Sequence, residues 1–317
     1  MSSTYFAYEQ ETLRKLQRVE LEMLQEFDRV CQKYGIEYFA LFGAAIGAIR
    51  HHGFIPWDDD VDVGMTREEF EKLRAVPENE WRDDLRLVAP EDADAPFHRS
   101  VWPKLYKMNS VYEQSEFHRK YRLREKNCKS PIWMDIFIFD RVANLETVKK
   151  CERKIFSLGR LYFYLKCHIK APHDAPFAFK VRCWLKEIMH RVAHLVPRPE
   201  LWAYRKFRRE IAKHAGEMLT VYATIVPEET IALCDSPEKM FPCVRVPFED
   251  GTIPLQKNYD EALRRLYGDY MQLPPEEKRF NHPPLELDLG DGNGYVVSSD
   301  RQPESARKES EGQAQDD

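Results

Sequence analysis

The stretch from Ile36 to Met65, IEYFALFGAAIGAIRHHGFIPWDDDVDVGM, constrains the fold of this chain more than any other. It opens with an apolar, aromatic run, Ile36 to Phe42, whose composition predicts a buried strand. Gly43 ends the run, and the small residues of AAIGA follow. Glycine takes backbone angles closed to other residues, and a helix beginning there would aim its free N–H groups outward. Such a helix start favours anions. Gly53 and Pro56 then turn the chain into Trp57-Asp58-Asp59-Asp60-Val61-Asp62-Val63.

Alternate side chains of a strand share a face, so this pattern predicts Asp58, Asp60 and Asp62 on one side, with Val61 and Val63 on the other. Three carboxylates on one face raise one another's pKa unless a cation offsets them. A divalent ion with oxygen ligands is the usual offset, and Mg2+ commonly adds substrate phosphates to its ligand set. A metal site beside an anion site suits phosphoryl or nucleotidyl transfer. Two blander readings compete. A run of acids is often a solvated loop, but these acids lie between Ile55-Pro56-Trp57 and an alternating Val pair, which suits a half-buried strand. A calcium loop would place Asp58, Asp60, Asp62 and Glu69 at its first, third, fifth and twelfth positions. Its sixth position needs Gly and holds Val63, and Gly53 and Pro56 occupy the place of its leading helix.

The segment GAAIGAIRHHGFIPWDDDVDVGMTREEFEKL resembles the signature of the LicD family, whose relatives include fukutin and fukutin-related protein. The resemblance implies a nucleotidyltransferase-like fold. It also implies a phosphotransferase that moves a phosphocholine or phospho-alditol unit from a CDP-linked donor to a glycan. One departure stands out: where the family has Gly-Gly-Thr or Gly-Gly-Ser, this chain has Gly43-Ala44-Ala45. The backbone donors survive, and a hydroxyl that would touch phosphate is gone.

A second informative run is Pro131 to Asp140, PIWMDIFIFD. An aspartate inside so apolar a run is costly to bury unpaired, so Asp135 either accepts hydrogen bonds or binds metal. By resemblance it matches the family's DIF motif, the third carboxylate on a neighbouring strand. Asp140 is expected to cap the turn into Arg141. The segment YGDYMQLPPEEKRFNH, Tyr267 to His282, matches the family's C-terminal motif, and its Arg279 and His282 would supply charge-assisted donors to a diphosphate.

The remaining elements follow from periodicity. Glu11 to Lys33 reads as an amphipathic helix stopped by Gly35, with packing against the sheet as its role. Thr66 and Glu69 form a capping box for a helix carrying Phe70 and Leu73. Leu85 to Val88 reads as an edge strand and Val101 to Met108 as a strand carrying Lys104, a candidate phosphate contact. Phe248 to Pro254 reads as a hairpin, and Tyr259 to Tyr267 as a short helix. From Lys149 to Lys213 there are seventeen Lys/Arg against five Asp/Glu, with aromatics interleaved. This basic region suits either a helical subdomain with a solvated face or a peripheral contact with anionic membrane lipid.

The expected fold class is therefore α+β, a nucleotidyltransferase-like mixed sheet flanked by helices, with an inserted basic helical subdomain. The expected units are a catalytic core at 1–145, the basic subdomain at 146–240, a C-terminal part of the catalytic region at 241–289 and a disordered tail at 290–317. A formal net charge of −5 gives no reason to expect nucleic acid as a partner. No apolar run is long enough to span a bilayer, and the N-terminus lacks the pattern of a secretory signal. Seven cysteines without a C-x-x-C pair argue for a reduced, cytoplasmic setting, with peripheral placement at the inner membrane face as the variant.

The expected chemistry is metal-dependent phosphotransfer. Asp58, Asp60, Asp62 and Asp135 would hold Mg2+ or Mn2+, with Asp60, Asp62 and Asp135 catalytic and Asp135 orienting the acceptor hydroxyl. Gly43, Arg50, Trp57, Lys104, Arg279 and His282 would bind the CDP-linked donor. The acceptor would be a glycan or its lipid-linked precursor. The rival readings are a nucleotidyltransferase that leaves NMP on its acceptor and a non-catalytic scaffold of the same fold.

Overall fold

A computed structural model describes residues 8–92, 94–114, 129–168, 171, 175–222, 227–279, 281, 284–291 and 294–295. The fold is α+β, and its centre is a mixed sheet of eight strands among the described residues.

Helix α1 (Gln10–Tyr34) runs along one face of the sheet. Leu13, Leu16, Met23, Leu24, Phe27 and Val30 recur at helical spacing and are buried, and Gly35 ends the helix in the left-handed conformation at φ 62°. Strand β1 is only Phe39–Ala40, because helix α2 (Phe42–Arg50) begins earlier than the apolar run suggests. The Leu41 N–H donates to Asp62 O, and Phe42 turns the chain at φ 45°. The expected strand through Phe42 is thus cut short by a turn made without glycine.

Strand β2 (Asp62–Thr66) pairs antiparallel with β1 and leads directly into α3 (Arg67–Arg74). The Glu69 N–H donates to Thr66 Oγ1 at 3.3 Å, the cap the sequence predicts. Strand β3 (Leu85–Val88) is antiparallel to β4 (Lys104–Gln114), which starts three residues later than Val101 and runs further. Strand β5 (Lys129–Val142) is the spine of the sheet. It lies antiparallel to β4 and parallel to β2. On one face of β5, Ile132, Met134, Ile136 and Ile138 join the core formed with α1 and α3. On the other, Phe137 and Phe139 pack with Phe39, Leu41 and Val221.

The basic region folds as α4 (Leu145–Lys166), α5 (Phe177–Ala193) and α6 (Pro199–Ala212). Helices α4 and α6 share a core of Ile155, Tyr162, Tyr204 and Phe207. Strand β6 (Met218–Val221) then returns to the main sheet and pairs antiparallel with the end of β5. Short helices α7 (Pro227–Ala232) and α8 (Pro237–Met240) precede a hairpin of β7 (Val244–Phe248) and β8 (Gly251–Leu255). Helix α9 (Tyr259–Tyr267) follows. Strand β9 (Pro284–Asp288) closes onto β4, and β10 (Gly294–Tyr295) pairs with β9. Gly294 and Tyr295, inside the expected tail, thus lie in the sheet, while 296–317 lie outside the described residues.

Asp140 does not cap a turn. It is buried near the end of β5, where Arg67 of α3 and Arg208 of α6 reach it at 3.1 and 2.9 Å. Two guanidiniums satisfy a carboxylate that would be costly to bury alone. The contact ties the sheet to the basic helices.

Candidate active site

The site forms where β2 leaves the acidic loop. Asp62 and Asp135 are register partners across the parallel pair β2–β5, and Lys104 is the register partner of Asp135 on its other side. Lys104 Nζ lies 2.8 Å from Asp135 Oδ1. Trp102 Nε1 donates to the same oxygen, and Trp133 Nε1 donates to Oδ2 at 2.9 Å. Lys104 also sits 4.2 Å from the centre of the Trp133 ring. Burial pushes the Lys104 ammonium below its ordinary range, while Asp135 and Asp62 oppose that shift.

Asp58 and Asp60 are not on a strand, because β2 starts only at Asp62. They lie in the loop before it, and ligand atoms of Asp58, Asp59 and Asp60 all fall within 4.8 Å of one another. The carboxylates converge through loop curvature rather than through strand alternation. Asp59, which the alternation leaves out, is the buried member, and Tyr8 Oη donates to its Oδ2 at 3.1 Å. Burial pushes the Asp62 carboxyl well above the ordinary range, helped by the charges of Asp60, Asp135 and Asp58.

Helix α1 does more than pack. Gln17 Nε2 donates to the carbonyls of Ile55 at 3.2 Å and Asp58 at 2.9 Å, clamping the acidic loop. One turn on, Glu20 is buried, and its Oε2 has no hydrogen-bond partner among the described residues. Burial raises its pKa well above the usual value, and Asp60, Asp59, Asp58 and Asp62 raise it further. Sequence reasoning missed both residues. The signal was legible: Gln17 and Glu20 stand at core positions of an amphipathic helix, where apolar residues belong.

Glycine at position 43 is required by close approach. A Cβ there would fall 2.1 Å from Asp58 Oδ2. The carboxylate of Asp58 thus lies against the first turn of α2, where a negative charge is favoured. Ala44 and Ala45 are buried in the main core.

Two guanidiniums stand near the acidic loop. Arg50 Nη1 donates to the carbonyl of Tyr270 at 2.6 Å, and Arg279 lies 4.9 Å from the centre of the Trp57 ring. Burial lowers the Arg50 pKa, the charge of Arg279 lowers it further, and Asp58 opposes them. Arg50, Trp57, Arg279 and Asp58 are therefore neighbours, although residues 50 and 279 lie far apart in sequence. His282 falls outside the described residues.

Asp58, Asp59 and Asp60 offer carboxylate oxygens close enough together to suit a hard divalent cation, and Glu20 is buried beside them with its Oε2 unpartnered among the described residues. An α+β fold whose mixed sheet carries paired carboxylates on adjacent strands is consistent with a nucleotidyltransferase-like fold. Residues 35–146 match the LicD/FKTN/FKRP nucleotidyltransferase domain, and the chain is similar to phosphotransferases of the LicD type. It is 28% identical over 286 residues to the lipopolysaccharide cholinephosphotransferase LicD of Haemophilus influenzae, covering 86% of this chain and 96% of that protein. It is 30% identical over 96 residues to the ribitol 5-phosphate transferase FKRP of Homo sapiens, covering 26% of this chain and 19% of that one. An uncharacterized protein of Rickettsia prowazekii is 35% identical over 55 residues, 17% of this chain and 21% of its own.

Proposed function

We propose that this chain transfers a phosphocholine or phospho-alditol unit from a CDP-linked donor to a hydroxyl of a cell-surface glycan or its lipid-linked precursor, releasing CMP. The observation that carries the reading is the convergence of Asp58, Asp59 and Asp60 beside the Asp62–Asp135 pair, with Arg50 near both Asp58 and Arg279. Support for the substrate class comes from the cholinephosphotransferase and ribitol phosphate transferase similarities.

Asp58, Asp60, Asp62 and Asp135 would hold Mg2+ or Mn2+, which supplies positive charge against the donor diphosphate when bound. Arg50 and Arg279 bind phosphate oxygens, and Trp57 supports Arg279 from below. The backbone N–H groups at the Gly43 turn add donors without a hydroxyl. Lys104, held between Asp135 and Trp133, sets the position of Asp135. Asp135 orients the acceptor hydroxyl and takes its proton as the acceptor oxygen bonds to the phosphorus bearing the alcohol. The bond from that phosphorus to the bridging oxygen breaks, and CMP leaves with the electron pair.

The test is CMP release from CDP-choline, CDP-ribitol and CDP-glycerol, with Mg2+ or Mn2+ and with EDTA as control. Metal-dependent CMP from one donor, abolished by Asp62→Asn, establishes the reading. A product carrying NMP would make the chain a nucleotidyltransferase. Absence of CMP from every donor and glycan would overturn the reading.

A further inference from the structure

Helix α5 (Phe177–Ala193) buries only two residues, Cys183 and His190, which are one heptad apart on one side. The opposite side is apolar and open. Phe177 is 82% exposed, Trp184 62%, Leu185 54% and Val192 59%, and Ile188 lies between them. At helical spacing these residues form one continuous stripe. Leu195 and Val196, just past the helix end, extend it and are also exposed. A stripe of this kind is costly in water and marks a surface that is covered in use.

The charges beside the stripe identify the cover. By the same spacing Lys180 and Arg191 border it on one side, and Arg182 and Lys186 on the other. The one acid of the helix, Glu187, is occupied by Arg191 at 2.9 Å and by His168 at 3.3 Å. Lys186 lies 4.0 Å from the centre of the Tyr164 ring. Lys180 and Arg182 are exposed. A second copy of this chain, docked about a two-fold axis, would bring these cations against themselves. Protein interfaces also exclude lysine from their centres. An anionic bilayer satisfies both features: its acyl boundary takes the apolar stripe and its headgroups take the flanking cations.

We propose that α5 is an interfacial membrane helix, lying in the plane of an anionic phospholipid surface with Trp184, Leu185 and Val192 inserted and Lys180 and Arg182 at headgroup level. This goes beyond the reading of the acidic site and stands on separate residues. Peripheral docking would hold the enzyme at a surface where a lipid-linked acceptor is displayed.

The experiment is vesicle flotation of the full chain, without substrate, using phosphatidylcholine vesicles and mixed phosphatidylcholine–phosphatidylglycerol vesicles. The wild-type chain floats with the mixed vesicles, and high salt weakens that binding. The triple variant Trp184→Gln, Leu185→Gln, Val192→Gln loses about tenfold or more of the binding. All three positions are exposed, and unchanged far-UV circular dichroism confirms the fold. Lys180→Gln with Arg182→Gln loses the preference for anionic lipid. Bromolipid quenching of tryptophan fluorescence gives a reading on the wild-type chain that falls in Trp184→Phe. A wild-type chain that floats with neither vesicle overturns the proposal, as does a triple variant that floats as well as the wild type. A dimer seen by light scattering that the triple variant dissolves assigns the stripe to a second copy instead. Because no substrate is present, failure of CMP release would count against the acidic site and leave this result standing.

Discussion

Asp62 and Asp135 face each other in register across the parallel pair β2–β5, and Lys104 spans from the next strand to Asp135 at 2.8 Å. Three adjacent strands thus place a carboxylate, a carboxylate and an ammonium in one row. Lys104 is the buried member, and removing its charge leaves Asp135 with two indole donors. Lys104→Met is expected to destabilise the protein by about 3 kcal/mol, the low end of the cost of breaking a buried pair. Urea unfolding measures this. Adding Asp135→Asn should recover part of the loss, since the two changes share one contact. Strict additivity would show that the pair is not coupled.

The carboxylates of Glu20 and Asp62 make stability depend on pH in a direction opposite to most acids. Both have folded pKa values raised by burial and by their acidic neighbours. Their protonated forms therefore stabilise the metal-free protein below the ordinary carboxylate range, and that contribution is lost as pH rises through the raised values. Without metal, Tm is expected to fall with rising pH above 4.5, the ordinary glutamate value. Mg2+ or Mn2+ should restore it, more at pH 8 than at pH 5, because binding needs the ionised carboxylates. Glu20→Gln should raise the Tm of the metal-free protein at pH 8 and weaken metal affinity by about tenfold. Calorimetry and metal titration read the two effects separately.

Gly43 offers a test in which propensity and packing disagree. Within a helix, Gly→Ala ordinarily gains about 1 kcal/mol. Here the added Cβ would sit 2.1 Å from Asp58 Oδ2. Gly43→Ala is expected to lose about 1–2 kcal/mol instead, as overpacking does. It should also push Asp58 out of the cluster and weaken Mn2+ binding, measured by titration calorimetry. Gly35→Ala is a contrast: nothing lies near its Cβ, and its cost comes from φ 62° alone.

Much of this was legible in the chain. Helix α1, the Thr66 cap, the hairpin and α9 announce themselves through periodicity, turn and cap residues, while the strand carrying Asp135 was expected only from the family resemblance. What failed did so for physical reasons. The apolar run at Ile36 looked like a full strand because its last residues are as apolar as its first, yet Leu41 and Phe42 turn into α2. The acidic run looked like a strand because Asp and Val alternate, yet the carboxylates of Asp58, Asp59 and Asp60 are gathered by a loop that Gln17 clamps from 41 residues away. Asp140 looked like a cap because its partners, Arg67 and Arg208, are remote in sequence. Local pattern reports local structure, and these are long-range contacts.

Arg50 and Arg279 divide binding from support. Arg50 Nη1 is 2.6 Å from the carbonyl of Tyr270 and 3.4 Å from that of Gln272, so it holds the C-terminal segment against α2 as well as facing the site. Arg279 donates to the carbonyl of Pro274 at 2.9 Å and stacks over Trp57. Arg279→Met should raise KM for the donor by about tenfold, one charge-assisted phosphate contact, with kcat changed less and Tm lowered less than by Arg50→Met, since Arg279 holds one carbonyl and Arg50 two. Arg50→Met should raise KM similarly but lower Tm further, because the carbonyls of Tyr270 and Gln272 lose their donor. Arg50→Lys should restore neither, since an ammonium cannot reproduce the fork that reaches a carbonyl and an anion at once. If Arg279→Met left KM unchanged, the guanidinium would serve only to pack Trp57, and the donor diphosphate would have to be bound elsewhere.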